Sequence, residues 1–152
     1  MLEKDMYQLV SALAVAKSRQ DVTSAIALQH ENMVLNSPAL GPAVEGKALN
    51  RRALTAFFKW FPDYEAEIQG HAFSKGLLTA WGRVRMTWTG DFLGVIPNGK
   101  RADLPVFMQF TFKDALIASE LFFIDFADLC AQSGVTTDVA RANIFSAQPQ
   151  PS

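Results

Sequence analysis

The main change of period in the hydrophobic pattern of this chain falls at Phe61-Pro62-Asp63, and that change limits the folds open to it. Before it, apolar residues recur at helical spacing. Leu2, Met6, Leu9, Val10 and Leu13, with Glu3, Lys4, Gln8 and Ser11 between them, predict an amphipathic helix ending near Arg19. Asp21 is placed to cap a short second helix carrying Val22, Ala25, Ile26 and Leu28. An extended piece from Met33 to Asn36 leads into Ser37-Pro38-Ala39-Leu40-Gly41-Pro42, where two prolines and a glycine exclude regular structure. A third helix runs from Lys47 to Phe61, its apolar face made by Leu49, Ala53, Leu54, Phe57, Phe58 and Trp60. Pro62 stops it.

After the switch the period is two. Ala66, Ile68 and Ala72 alternate with Glu65, Glu67, Gln69 and His71. Leu78, Ala80, Val84, Met86 and Trp88 alternate with Thr79, Trp81, Arg83, Arg85 and Thr87. Leu104, Val106, Met108, Phe110 and Phe112 alternate with Phe107, Gln109 and Thr111, and a tight turn at Lys113-Asp114 opens a last strand, Leu116 to Ile124. Asp125 then begins a short helix that Gly134 ends. Helices first and strands afterwards make an α+β domain, with the helices on one face of a mostly antiparallel sheet. The domain spans 1–135, and 136–152 is expected to be a partly disordered tail.

At 152 residues the chain can bury a full core without staples. Its net charge of -1 gives no nucleic-acid footprint. No apolar run reaches membrane-spanning length, and Met1-Leu2-Glu3-Lys4-Asp5 has no secretory pattern. The lone Cys130 fits a reducing compartment, so the expected location is cytoplasmic. His30, at the end of the second helix, and His71, expected to be solvated on a polar strand face, stand apart from each other and from Cys130, which predicts neither metal nor cofactor.

The segment Thr89-Gly90-Asp91-Phe92-Leu93-Gly94-Val95-Ile96-Pro97-Asn98-Gly99-Lys100 resembles the T-G-T-H-x-G-E-F-x-G-I-P-P-T-G-K signature of SnoaL-like polyketide cyclases, within the nuclear-transport-factor-2-like superfamily. Phe61-Pro62-Asp63 is similar to that family's F-P-D, and Glu45-Gly46-Lys47-Ala48-Leu49 to its entry into the third helix. Asp125-Phe126-Ala127-Asp128-Leu129-Cys130-Ala131-Gln132-Ser133-Gly134 resembles its closing D-x-x-G-L-L-x-Q-L-G. The resemblance implies a cone: a strongly curved sheet with three N-terminal helices over its concave face. It also implies a small-molecule pocket and aldol-type acid/base chemistry.

The same resemblance puts Phe122 where the family carries its acid/base aspartate, and Val106 and Met108 where it carries a helper glutamine and histidine. Trp88 takes the place of the loop histidine, and Asn36 matches an asparagine on the early extended segment. Glu120 shares strand parity with Phe122 and Ile124. It either enters the concave face as a desolvated acid or base, or lies at the sheet rim paired with Arg83 or Arg85. Asp125 is a second catalytic candidate whose position equally suits an N-cap. Asn36, Trp88, Val106, Met108 and Phe122 would line an aromatic pocket for a flat hydrophobic ligand, or the aromatics fill the cone.

Two functions stay open. One is binding of a small apolar carbonyl compound, with cyclase- or isomerase-type turnover by Glu120. The other is a non-catalytic ligand-binding or dimeric interaction module. Trp81, Phe107 and Phe123 on the face away from the helices predict a homodimer.

Overall fold

The computed structural model describes residues 1–90 and 96–147. Eleven elements follow in the order α1 (Glu3–Ser18), α2 (Val22–Ala27), β1 (Gln29–Asn36), β2 (Val44–Glu45), α3 (Lys47–Trp60), β3 (Glu65–Ser74), β4 (Leu77–Thr87), β5 (Arg101–Lys113), β6 (Leu116–Ile124), α4 (Phe126–Ser133) and α5 (Thr137–Ala147). The strands form a six-stranded sheet in the order β2-β1-β6-β5-β4-β3. Every pairing is antiparallel except β1 with β6. The expected α+β architecture is present, with α1, α2 and α3 ahead of the long strands.

Local chemistry sets the boundaries. Asp21 accepts the Ser24 backbone N–H at 3.0 Å and starts α2. Asp125 accepts the Asp128 N–H at 3.0 Å and starts α4, which Gly134 ends in the left-handed region at φ 71°. Two-residue turns close the hairpins. Lys75-Gly76 joins β3 to β4 and Asp114-Ala115 joins β5 to β6, all four residues at positive φ as a type I′ turn requires.

Three expectations need correcting. His30 lies in β1, not at the end of α2, with Nε2 3.1 Å from Asp114 Oδ2. His71 is half-buried, its ring stacked on Tyr7 at 4.1 Å rather than free in solvent. The segment read as tail opens with α5, which buries Ala140 and sets Arg141 over the Phe126 ring; residues 148–152 lie outside the described residues.

Strand alternation sorts the sheet into two faces. Leu78, Ala80, Val84 and Met86 of β4, Ala102, Leu104, Val106, Met108 and Phe110 of β5, and Glu120, Phe122 and Ile124 of β6 are buried. Against that face pack α1, which touches β3, β4 and β6, and α3, which touches β1 and β2. Asn50 docks α3 by donating from Nδ2 to the Met33 and Gly46 carbonyls at 3.0 and 2.8 Å.

The opposite face holds a charged ladder. Arg83 reaches Asp103 at 2.6 Å, Arg85 reaches Glu67 at 2.9 Å and Arg101 reaches Glu65 at 3.2 Å. Hydrogen bonding from Arg83 holds the Asp103 carboxyl below its ordinary value. Beyond the ladder, Trp81, Phe107 and Phe123 stand in register across three strands, 41%, 45% and 53% exposed.

Candidate functional site

The family-like motifs turn out to hold the scaffold together. Asp63 accepts the Thr87 N–H at 2.7 Å and the Thr87 hydroxyl at 2.6 Å, tying the turn after α3 to the end of β4. Thr89 N donates to the Trp60 carbonyl at 2.8 Å. On the far side of the glycine segment, Asn98 N donates to Ser133 O at 2.8 Å and Asn98 Nδ2 to Gln132 O at 3.0 Å. Gln132 Oε1 in turn accepts the Asp103 N–H at 2.9 Å. Asp91–Val95 of the signature lie outside the described residues.

One apolar cavity opens between α3, β6 and the β1–β2 loop. Its walls are Ala53, Leu54 and Phe57 of α3, Leu35 of β1, Phe122 of β6, Tyr64, and Ser37, Leu40, Gly41 and Pro42 with Val44 on the loop side. Lys17, from the last turn of α1, is the cation in this lining. About 60 Å³ of the cavity can be occupied by the centres of water molecules, room for a handful of waters at roughly 10–15 Å³ each.

Glu120 lies behind that wall. It is 2% exposed, on β6 between Leu35 of β1 and Phe110 of β5. Its partner is Lys17, neither Arg83 nor Arg85, which project from the other face of the sheet. Lys17 Nζ donates to Glu120 Oε1 at 2.8 Å and Oε2 at 3.0 Å. The same ammonium stands 5.9 Å from the centroid of the Phe122 ring. Both charges are therefore taken from water together, and each is the other's compensation.

Tyr64 completes the polar group. It is 2% exposed, and burial, with the Glu120 charge as a lesser cause, pushes its hydroxyl well above the ordinary tyrosine range. Lys17, Tyr64 and Glu120 meet around a second, smaller space of about 10 Å³, which Met108 and Phe110 also line. An ammonium, a carboxylate and a neutral phenol thus share the small space, and two of the three, Lys17 and Tyr64, also line the apolar cavity. That set can hold an oxygen atom and exchange a proton with it.

The other candidates are placed differently. Phe122 lines the main cavity and Met108 the small space beside it. Trp88 is packed in the core, 5.4 Å from Phe61 and 6.4 Å from Phe126 between ring centroids. Val106 is buried in the sheet outside the cavity lining, and Asn36 is exposed while its neighbours Leu35 and Ser37 line the wall. Asp125 is exposed, its carboxylate engaged as the α4 cap. Among the described residues no group of His, Cys, Asp and Glu could hold a metal ion, and no helix is long and apolar enough to cross a membrane.

Sequence reasoning passed over Lys17 and Tyr64. For Lys17 the signal is present: it follows Leu13 by four residues, so it occupies the next place on the apolar stripe Met6, Val10, Leu13. A lysine on the buried line of a helix needs a partner, and the pattern does not say which.

The model of the SnoaL-like polyketide cyclase family matches residues 4–133. No protein of curated function matches the chain. Solved structures share the fold at low identity. A putative SnoaL-like polyketide cyclase from a Jannaschia species superposes with a TM-score of 0.76 at 20% identity, covering 88% of this chain and 94% of that one. AclR, a putative hydroxylase from Streptomyces galilaeus, gives 0.74 at 21% identity, covering 88% and 98%. A protein from Catenulispora acidiphila with a ketosteroid isomerase-like fold, solved with trimethylamine, gives 0.76 at 15% identity, covering 86% and 95%.

Proposed function

This chain belongs to the SnoaL-like polyketide cyclase family, and we propose that it binds a small, largely apolar carbonyl compound in the cavity between α3, β6 and the β1–β2 loop. Glu120 moves a proton next to the carbonyl, as an aldol cyclase or isomerase requires. The observation that carries this reading is the ion pair of buried Glu120 with Lys17, a residue that lines that cavity as well as the small space beside Glu120. Stability by itself gives little reason to keep such a pair, since apolar residues of similar volume are often as stable. Asp125 serves the fold as a cap. The position of the family's acid/base aspartate, here Phe122, supplies a flat apolar wall.

The test has two stages. Polyketide-like carbonyl compounds are screened by the rise in melting temperature they cause. A compound that binds is then followed by NMR for hydrogen–deuterium exchange at the carbon beside its carbonyl. Glu120→Gln should still bind the compound and slow the exchange by about 100-fold or more. An unchanged exchange rate removes Glu120 from the mechanism.

A second reading, a dimeric interaction module, rests on the aromatic row of Trp81, Phe107 and Phe123 on the outer face. Three large rings in register, bordered by the ion-pair ladder, suit burial against a second copy about a two-fold axis. Sedimentation should give a homodimer at micromolar concentration and a monomer for Phe123→Glu. A monomeric wild-type chain would count against it.

A further inference from the structure

Glu120 is not part of the main cavity's lining, although the proposed reaction needs it to act on a ligand held there. Lys17 connects the two. It lines the main cavity and also the small space beside Glu120. Its side chain keeps 11% of its surface accessible against 1% for that of Glu120, so the amine is the group a ligand meets first. Among the described residues it is the one amine in the cavity lining. The wall beside it is apolar, with Leu35, Leu54, Phe57 and Phe122.

An amine so placed has chemistry of its own. A lysine in an apolar pocket attacks a carbonyl carbon once its ammonium has given up a proton. Glu120 Oε1, 2.8 Å from Nζ, is placed to take that proton. The transfer turns an ion pair into a neutral amine and a neutral acid, and the site's net charge stays at zero. Apolar surroundings penalise the charged arrangement, and a ligand that drives water from the cavity adds to the penalty.

We propose that Lys17 is a nucleophile that joins a bound aldehyde or ketone as an iminium ion, with Glu120 as its acid/base partner. The inference rests on the reading of Glu120 as proton carrier, and it supplies the electron sink for that reaction. The nitrogen lone pair forms a C–N bond, and the carbonyl π pair moves onto oxygen, which takes a proton from the nitrogen. Glu120 then gives its proton to this hydroxyl and the C–O bond breaks. Water leaves, and the nitrogen lone pair makes the C=N bond. The iminium cation now faces the restored Glu120 carboxylate, so the buried pair keeps its charges. A C–H bond beside the iminium carbon then breaks, its proton going to Glu120 and its electron pair forming the C=C bond of an enamine, as the C=N π pair returns to nitrogen. No oxidant or reductant is involved. Esters and carboxylic acids, which give no iminium ion, are excluded as substrates.

The probe is cyclohexanone, compact and apolar, with sodium cyanoborohydride, which reduces an iminium ion and spares the free ketone. Incubated with both, the full chain should gain one cyclohexyl group, found by mass spectrometry on the peptide that holds Lys17. Labelling there should outpace that of the exposed Lys59 and Lys75 by about 100-fold or more, the gain that a positioned acid/base partner gives. Lys17→Arg keeps a cation for Glu120 but forms no iminium ion, and it should lose the label altogether. So should Lys17→Met with Glu120→Leu, which removes both buried charges and guards against a folding defect in the first variant.

If cyclohexanone raises the wild-type melting temperature but leaves Lys17 unlabelled, the iminium ion is wrong while the carbonyl-binding cavity stands. Labelling that is undiminished in Lys17→Arg, or spread evenly over the exposed lysines, would also overturn the proposal. A wild-type chain showing neither a rise in melting temperature nor a label would sink both readings.

Discussion

Replacing Lys17 by methionine should destabilise the folded chain by about 3–5 kcal/mol, the cost of leaving a buried carboxylate without its cation. Glu120 is 2% exposed, and both its oxygens are taken by the Lys17 ammonium at 2.8 and 3.0 Å. Leu35 and Phe110 across the sheet and Phe122 next but one along β6 offer no side-chain donor, and the neutral Tyr64 hydroxyl on the same small space does not replace a cation. Lys17→Met fills the stem's volume, so packing is conserved and the measured loss reports the stranded charge. Urea unfolding of the variant gives the value.

The companion experiment removes both members. Lys17→Met with Glu120→Leu should lie much closer to wild type than Lys17→Met alone, because an apolar pair of similar volume needs no desolvation. A Lys17→Met loss within about 1 kcal/mol, the range of an exposed pair, would mean that water reaches Glu120. If the double variant is as stable as the parent, the ion pair is there for what it does with a ligand. Proteins commonly hold such groups at a cost in stability where activity requires them.

Much of the fold is legible in the sequence because it is decided locally. Asp21 and Asp125 each sit one residue ahead of a helix and cap it, and Gly134 ends α4 in the conformation that glycine takes most easily. Alternation in β4 and β5 is enough to separate the buried face from the face of Arg83 and Trp81. The site is less legible because it is made by partners far apart in sequence. Lys17 and Glu120 are 103 residues apart, and parity places Glu120 on the inner face without revealing what meets it there. Trp88 and Met108 show the converse limit. Alternation says that they are buried, but whether an aromatic lines a space or fills it depends on neighbours such as Phe61 and Phe126 arriving from other elements. The α5 helix escapes the sequence pattern for another reason: its segment follows the strong stop at Gly134, and a stop signal carries no information about a restart.

Gly82→Ala should cost at least about 3 kcal/mol, above the usual range for overpacking, although it adds one methyl group in the middle of a strand. The reason is in the sheet's bend. β3 pairs with β4 at Ile68↔Gly82 and then shifts register, resuming at Gly70↔Trp81, so an extra residue is taken up in β3 opposite Gly82. At that bulge the β3 backbone crosses over Gly82. A Cβ there would lie inside the envelope of the Glu67 carbonyl oxygen, 2.9 Å from its carbon and 3.0 Å from Gln69 N. These are backbone atoms held by the ladder, so no side-chain rotation relieves the clash. Either the bulge opens or the β3–β4 pairing is lost. Gly70, on the same bulge, makes the control. A Cβ at Gly70 meets the Trp81 indole at 2.6 Å, but that ring is 41% exposed and free to swing outward. Gly70→Ala should therefore fall within about 1 kcal/mol of wild type. Denaturant unfolding of the two variants side by side decides the matter. Equal losses would mean that the sheet's curvature does not depend on the close approach at Gly82. A large loss confined to Gly82→Ala would locate the bend that brings α1 and β3 over the inner face, and with them Lys17 and Tyr64 to Glu120.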